Sequence, residues 1–272
     1  MKRATIFLLS LIIMLFCCGC DKSTSEVVES NTEQATVTTS QTTEQSTMTT
    51  AQNSDEADNL TTAPSTAEAN WFDDAVFVGD SVTLKLNYYC GSHPEALGNA
   101  QFFCAGSLGY TNALWELDRE NAVHPYYKGE SRLAETCAEA TGANKVFIML
   151  GMNDIGLYAI DSTISSAKEL VGKIRSNSPN VSIYIQSVTP IIDGKEGEML
   201  NNKNIRSFNT ELEAYCKQAD ITYLDVYSVL SDENGFLPPD YCGDPDAMGI
   251  HFTDKACEIW SDYLKQNVLK GN

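Results

Sequence analysis

The octapeptide Ala75-Val-Phe-Val-Gly-Asp-Ser-Val82 contains the first predicted strand and the first candidate site residue. Its apolar half runs directly into Gly79-Asp80-Ser81, a pattern typical of a buried strand that ends in a turn. Four similar runs follow along the chain, at Ala100–Phe103, Lys145–Leu150, Val181–Ile185 and Ile221–Asp225. Apolar runs without polar alternation are typical of parallel strands that are covered on both faces.

Amphipathic helical patterns lie between these runs. Ile164, Ala167, Val171 and Ile174 share one helical face, as do Ile205, Phe208, Leu212 and Tyr215. A last helix is predicted from Thr253 onward. Strands that alternate with helices predict an α/β fold, a three-layer α/β/α sandwich around a mainly parallel, flavodoxin-like five-stranded sheet. In such folds a site forms beyond the carboxyl ends of the strands.

Three further segments follow a predicted strand or lie in a late loop: Ser107-Leu-Gly-Tyr-Thr111, Gly151-Met-Asn-Asp154 and Met248-Gly-Ile-His251. Together with Ser81 they offer a hydroxyl, the backbone N–H of Gly109, the amide of Asn153 and the imidazole of His251. A serine hydroxyl becomes a good nucleophile when a neighbouring base accepts its proton. The N–H of Ser81, the N–H of Gly109 and the Asn153 amide could then stabilise an oxyanion.

Each residue also has a simpler interpretation when it is judged alone. Ser81 could cap the next helix, Gly109 could form a tight turn, and Asn153 could form a cap or an Asx-turn after its strand. A histidine beside an apolar turn, like His251, is more often structural than catalytic. The order and spacing of the four segments favour the catalytic interpretation.

Residues 74–268 resemble the SGNH hydrolases, also called the GDSL esterase/lipase family. Gly79-Asp80-Ser81-Val82 is similar to the first family block, Ser107–Thr111 to the second through Gly109, Gly151–Asp154 to the third, and Gly249-Ile-His251 to the end of the fifth. The resemblance implies acyl transfer in which Ser81 is the nucleophile and His251 the base. It implies no metal or other cofactor.

One departure concerns the carboxylate that orients the histidine. The family places it three residues before the histidine, where this chain has Met248. Asp246 is the preferred replacement, and Asp244 and Asp254 are alternatives. A Ser–His dyad with a backbone carbonyl, or an impaired enzyme, also stays open.

The N-terminal segment has the pattern of an export signal. Lys2 and Arg3 precede an apolar run from Ile6 to Phe16 that is short for a membrane span. Residues 1–19 resemble a bacterial lipoprotein signal with Cys20 as the lipidated residue; ordinary secretion is the alternative. Residues 20–69 are rich in Ser, Thr and Glu and predict a disordered tether. Residues 70–272 would then form the hydrolase domain on the extracellular face of the cell membrane.

The composition limits the partners that we expect. A formal net charge of −19 argues against nucleic-acid binding, which needs a basic face. Membrane contact is expected through the lipid anchor only, and the protein is expected to be a monomer. The cysteines after residue 20 predict either disulfides or buried thiols, and their spacing does not indicate a metal site: Cys90, Cys104, Cys137, Cys216, Cys242 and Cys257.

The expected activity is hydrolysis of short-chain, acetyl-type esters on a small-molecule or glycan substrate. A lysophospholipase or thioesterase and an acetyltransferase would use the same residues. A non-catalytic glycan-binding module is the alternative from another class, and Met248 is the feature that favours it.

Overall fold

The computed structural model describes residues 70–268. The predicted signal at 1–19, the lipidation site Cys20 and the tether at 20–69 lie outside the described residues and stay predictions. Within the described part of the chain, no helix is both long and apolar enough to cross a membrane.

A five-stranded sheet forms the centre of the domain. Its strands are β1 (Ala75–Gly79), β2 (Gln101–Cys104), β5 (Lys145–Met149), β6 (Ser182–Gln186) and β7 (Thr222–Leu224). Their order is β2-β1-β5-β6-β7, and every neighbouring pair is parallel. Numbered by sheet strands alone, this order is 2-1-3-4-5, which is the flavodoxin-like order. All five strands coincide with the predicted apolar runs.

Helices cover both faces of the sheet. They are α1 (Ser81–Ser92), α2 (Pro94–Leu97), α3 (Tyr110–Ala113), α4 (Cys137–Thr141), α5 (Met152–Ile155), α6 (Ile160–Asn177), α7 (Asn202–Gln218), α8 (Val226–Leu230) and α9 (Asp254–Val268). The apolar faces of α6 and α7 pack in one core cluster, and those of α1 and α9 pack in the other. The predicted three-layer α/β/α sandwich is therefore confirmed.

Strand β1 shows why the strands lack polar alternation. Val76 and Val78 belong to one core cluster, whereas Ala75 and Phe77 belong to the other. Because successive side chains point to opposite faces, and because both faces are covered, every position of this strand is buried. Burying an aliphatic or aromatic side chain contributes about 1.5–3 kcal/mol, so the apolar runs that predict the strands also supply much of the core.

Two features could not be read from the periodicity. The segment between α3 and α4 contains a small antiparallel hairpin, β3 (Tyr126–Tyr127) and β4 (Glu130–Ser131), which packs on the edge strand β2 through a ring contact between Phe103 and Tyr127 (centroids 5.3 Å apart). The six cysteines within 70–268 are all free thiols, and four of them are buried.

Candidate active site

Ser81 is the first residue of α1, and only Asp80 separates it from the carboxyl end of β1. The residue that caps this helix is Asp80, whose Oδ1 accepts a hydrogen bond from the Val82 N–H (2.9 Å). The Ser81 hydroxyl therefore does not serve as a cap and lies 3.0 Å from His251 Nε2. Gly79 is needed at this turn because a Cβ there would lie 2.0 Å from the Thr83 hydroxyl oxygen.

The other nitrogen of His251 faces the carboxylate of Asp244. His251 Nδ1 lies 2.7 Å from Asp244 Oδ2, and Asp244 Oδ1 accepts hydrogen bonds from the N–H groups of Ile250 and His251 (both 3.0 Å). The prediction that Asp246 orients His251 is corrected: the carboxylate at this position is Asp244. The side chain of Asp246 is exposed, and only its backbone carbonyl is used, accepting from Lys195 Nζ (3.0 Å).

The path of the loop explains this difference. The N–H groups of Ala247 and Gly249 both donate to the Asp244 carbonyl, which folds residues 244–249 into a compact turn. Gly249 has φ +70°, a conformation that favours glycine. The turn places the Asp244 carboxylate within hydrogen-bond distance of His251 Nδ1, although Asp244 lies seven positions before His251 in the sequence. Met248, at the position where the family has its carboxylate, is exposed.

The last alternative, Asp254, also lies elsewhere: its carboxylate forms an ion pair with Lys85 of α1. For Asp244, partial burial raises the pKa, but hydrogen bonds and charge attraction from His251 outweigh that effect and hold the pKa below its usual value. Asp244 is therefore ionised over the whole neutral range. It is placed to hold the Nδ1–H tautomer, which leaves Nε2 free to accept a proton from Ser81.

Gly109 is the N-cap of α3, and the first turn of this helix is held by a residue from another segment. Asp154 Oδ2 accepts from the Tyr110 N–H (2.7 Å) and Asp154 Oδ1 from the Thr111 N–H (2.9 Å). A Cβ on Gly109 would lie 2.4 Å from Asp154 Oδ2. Burial raises the pKa of Asp154, and the two N–H groups oppose that shift. Asp154 thus joins the second and third segments, a role that its sequence position did not predict.

The N–H of Gly109 is itself engaged. It donates to the side-chain oxygen of Asn112 (2.7 Å), and the Asn112 amide donates in turn to the Ser107 carbonyl (2.8 Å). The predicted donor is present, but it already has an acceptor within its own loop.

Asn153 lies on α5 and points its amide between the first and second segments. Its Nδ2 donates to the Leu108 carbonyl (3.0 Å) and to Asp80 Oδ2 (3.2 Å). Asp80 is buried, which raises the pKa of its carboxyl to about 6 against the opposing effect of the Val82 and Thr83 N–H groups. The structure thus brings Ser81, Gly109 and Asn153 together at one edge of the sheet, as the sequence predicted.

The loop after β6 supports the histidine segment. Two asparagines on one face of α7 hold the backbone of this loop by hydrogen bonds. The Asn209 side chain bonds both the N–H and the carbonyl of Val188 (2.9 and 2.8 Å), and the Asn202 side chain bonds both the N–H and the carbonyl of Ile191 (both 2.9 Å). The N–H of Ile192 then donates to the Gly249 carbonyl (3.0 Å). The position of His251 therefore depends on buried amides that are far from it in sequence.

A narrow recess lies beside the nucleophile. Its lining combines residues that flank Ser81 with residues after β5 and β6: Asp80, Val82, Met149, Leu150, Met152, Val188 and Thr189. Within residues 70–268, no group of three His, Cys, Asp or Glu side chains is placed to hold a metal ion.

This arrangement of serine, histidine and aspartate lies within the part of the chain that resembles a known protein family. The profile of the GDSL-like lipase/acylhydrolase family matches residues 77–259, which include every residue of the site. The chain belongs to this family. The predicted enzyme class, a hydrolase that acts on ester bonds, is confirmed at the level of the family. No functionally curated protein matches the chain in sequence.

Solved structures agree with the fold. A GDSL-like lipase from Bacteroides thetaiotaomicron superposes with a TM-score of 0.54 at 19% identity, covering 74% of this chain and 90% of its own. A carbohydrate acetylesterase from Sinorhizobium meliloti superposes with a TM-score of 0.52 at 13% identity, covering 73% of this chain and 99% of its own. At these identities the likeness concerns the fold.

Proposed function

We propose that the protein is a serine esterase that hydrolyses short-chain, acetyl-type esters on carbohydrate acceptors. The observation that carries the proposal is the continuous line from Ser81 Oγ to His251 Nε2 (3.0 Å) and from His251 Nδ1 to Asp244 (2.7 Å). A nucleophile, a base and an orienting carboxylate in hydrogen-bond contact are the parts that acyl transfer at neutral pH requires. The contact with Asp244 also removes the reason for favouring a non-catalytic module, because Met248 no longer implies a missing carboxylate.

In the proposed reaction His251 Nε2 takes the proton of Ser81 as Oγ forms a bond to the ester carbonyl carbon. The imidazolium that results is stabilised by Asp244. The tetrahedral intermediate then expels the alcohol, which receives the proton from His251. Water then attacks the carbonyl carbon of the acyl-enzyme while His251 accepts a proton from it. The second tetrahedral intermediate breaks its bond to Ser81 Oγ, which releases the acid, and His251 returns the proton to Oγ.

The oxyanion formed in each step would be stabilised by the Ser81 N–H, the Gly109 N–H and the Asn153 amide. The Ser81 N–H is the first of α1 and has no acceptor within its own helix. One donor of this kind is worth about 10²–10³ in rate. Both Gly109 and Asn153 must exchange their present acceptors for the substrate oxygen, and the exchange costs little when the new acceptor carries a charge.

The choices of a short, acetyl-type acyl group and of a carbohydrate acceptor are both supported by the carbohydrate acetylesterase from Sinorhizobium meliloti, whose fold is similar. No observation favours the thioesterase, lysophospholipase or acetyltransferase alternatives.

We also propose that the enzyme works outside the cytoplasm, held at the membrane surface by a lipid on Cys20 and a tether over residues 20–69. The support is the signal-like pattern of residues 1–19. Incorporation of a labelled fatty acid into the wild type but not into Cys20→Ser would support the anchor. Equal labelling of the two proteins would contradict it.

Hydrolysis of p-nitrophenyl acetate and p-nitrophenyl octanoate by the full chain tests the catalytic proposal. We expect turnover of acetate to exceed that of octanoate and to vanish in Ser81→Ala. Ser165→Ala is the matched control, because its hydroxyl only bonds the Asp161 carbonyl on the exposed face of α6. Acetate release from acetylated xylan or peptidoglycan would then identify the acceptor. Equal rates for the wild type and Ser81→Ala on every ester would exclude the proposed activity.

A further inference from the structure

The second segment contains an acceptor that competes with substrate. The Gly109 N–H, one of the three proposed oxyanion donors, is bonded at 2.7 Å by the Asn112 side-chain oxygen. The same amide donates to the Ser107 carbonyl at 2.8 Å. One partly exposed side chain therefore spans the loop and covers the donor that the reaction needs.

The shape of this loop has a separate support. Asp154 accepts hydrogen bonds from the next two N–H groups, those of Tyr110 and Thr111. Asp154 is buried. Asn112 is only partly buried, so the Asn112 side chain has room to turn away from the Gly109 N–H. The direction of the Gly109 N–H is therefore maintained when Asn112 leaves.

We propose that Asn112 is a positioning residue that occupies the Gly109 N–H in the resting enzyme and is displaced by the substrate oxygen. This inference rests on the proposed esterase function. The neutral amide oxygen of Asn112 competes well with a neutral ester carbonyl but poorly with an oxyanion, because hydrogen bonds to a charged acceptor are about twice as strong. Asn112 thus covers the donor between turnovers and gives it up as charge develops.

Removing the competitor should make the enzyme faster and less stable. In Asn112→Ala the Gly109 N–H no longer has to exchange one acceptor for another, so kcat/KM for p-nitrophenyl acetate should rise about fivefold. This rise corresponds to about 1 kcal/mol, the typical net value of one hydrogen bond. The melting temperature should fall, because the Gly109 N–H and the Ser107 carbonyl both lose their partner.

Asn112→Asp should have the opposite effect on the rate. A carboxylate at this position would hold the Gly109 N–H more strongly and suits the first turn of a helix, but it cannot donate to the Ser107 carbonyl, so the melting temperature should fall less than in Asn112→Ala. The same charge would repel the oxyanion and should lower kcat/KM about tenfold or more. A merely structural cap would make stability and activity change in the same direction in both variants.

The matched control is Asn204→Ala. Its amide also bonds a backbone carbonyl in an exposed loop, that of Met199 at 2.7 Å, away from the site. We expect its kcat/KM to stay within about twofold of the wild type. If Asn112→Ala is slower than the wild type and Asn112→Asp retains activity, Asn112 is a cap and the inference is wrong.

A second readout separates this inference from the proposed function. A fluorophosphonate phosphonylates Ser81 Oγ with loss of fluoride, and negative charge develops on its phosphoryl oxygen in the transition state. That oxygen would use the same donors as an oxyanion, so the labelling rate should rise about fivefold in Asn112→Ala. If the wild type labels but does not turn over esters, the proposed substrate is wrong, and the ratio of labelling rates still decides the role of Asn112. If Ser81 neither labels nor turns over, both proposals are wrong.

Discussion

Replacing Asp244 by Asn tests the geometry of the site most directly. Asn can keep an oxygen toward the N–H groups of Ile250 and His251, which Asp244 Oδ1 accepts at 3.0 Å, so the loop should hold its path. The group facing His251 Nδ1 then becomes an N–H2 donor. This forces Nδ1 to be an acceptor and moves the ring proton to Nε2, where it blocks transfer from Ser81.

The expected loss follows from the burial of the pair. In a well-shielded triad the same change lowers turnover about 10⁴-fold. Here the side chains of His251 and Asp244 are 33% and 18% exposed, so water partly replaces the lost carboxylate. We therefore expect kcat for p-nitrophenyl acetate to fall between about 10³- and 10⁴-fold, or about 4–5.5 kcal/mol.

Asp246→Asn is the matched control, because it makes the same chemical change two residues away on an exposed side chain. We expect its kcat to stay within about twofold of the wild type. Circular dichroism melting of both variants would show that the folds are intact. Full activity in Asp244→Asn would refute the triad and favour the Ser–His dyad, and a loss in Asp246→Asn alone would restore the original prediction.

Three further predictions follow from buried groups. Burial raises the pKa of Asp80 to about 6 from an ordinary 3.8, so the stability linked to its protonated form is present below pH 3.8 and lost as pH rises through 6. In urea titrations the free energy of unfolding of the wild type should therefore decline by about 3 kcal/mol over this pH window, and Asp80→Asn should lack that decline. The same pH dependence of the unfolding free energy in both proteins would contradict the shift. Gly109→Ala should lower kcat/KM at least about tenfold, because the new Cβ would displace the Asp154 carboxylate from the first turn of α3. Gly106→Ala, whose Cβ would meet nothing within 4 Å, should match the wild type. Equal kcat/KM values for the two variants would count against Gly109 as an oxyanion donor. Asn209→Leu leaves the buried N–H and carbonyl of Val188 unpaired. It should lower the free energy of unfolding by about 2–5 kcal/mol and the melting temperature by roughly 5–15 °C, whereas Thr210→Leu, at an exposed position, should change the melting temperature little. Similar melting temperatures for the two variants would contradict this role of Asn209.

The fold could be predicted from the sequence because its sheet is parallel and fully covered. Each strand had to be apolar on both faces, so Ala75–Val78 and its four counterparts stand out without any knowledge of their partners. The amphipathic faces of α6 and α7 were equally local signals. The hairpin β3–β4 carried no such signal, because strands of two residues show no periodicity.

The site could be predicted only in part. Ser81, Gly109, Asn153 and His251 lie at strand ends, where chain order and fold determine their meeting. Asp244 could not be chosen over Asp246, because the choice depends on the turn at Gly249 and on its contact with the loop after β6. The second of these, from the Ile192 N–H to the Gly249 carbonyl, joins positions more than fifty residues apart in sequence and depends on the packed fold.

The distance along the chain between Ser81 and His251 has a consequence for biogenesis. The two residues in contact are 170 positions apart, and the base lies immediately before the last helix. A chain that stops before residue 244 contains the nucleophile and all the predicted oxyanion donors but neither the imidazole nor its carboxylate. The nascent polypeptide therefore cannot assemble this Ser–His–Asp arrangement until the segment that carries Asp244 and His251 has been synthesised and folded against Ser81.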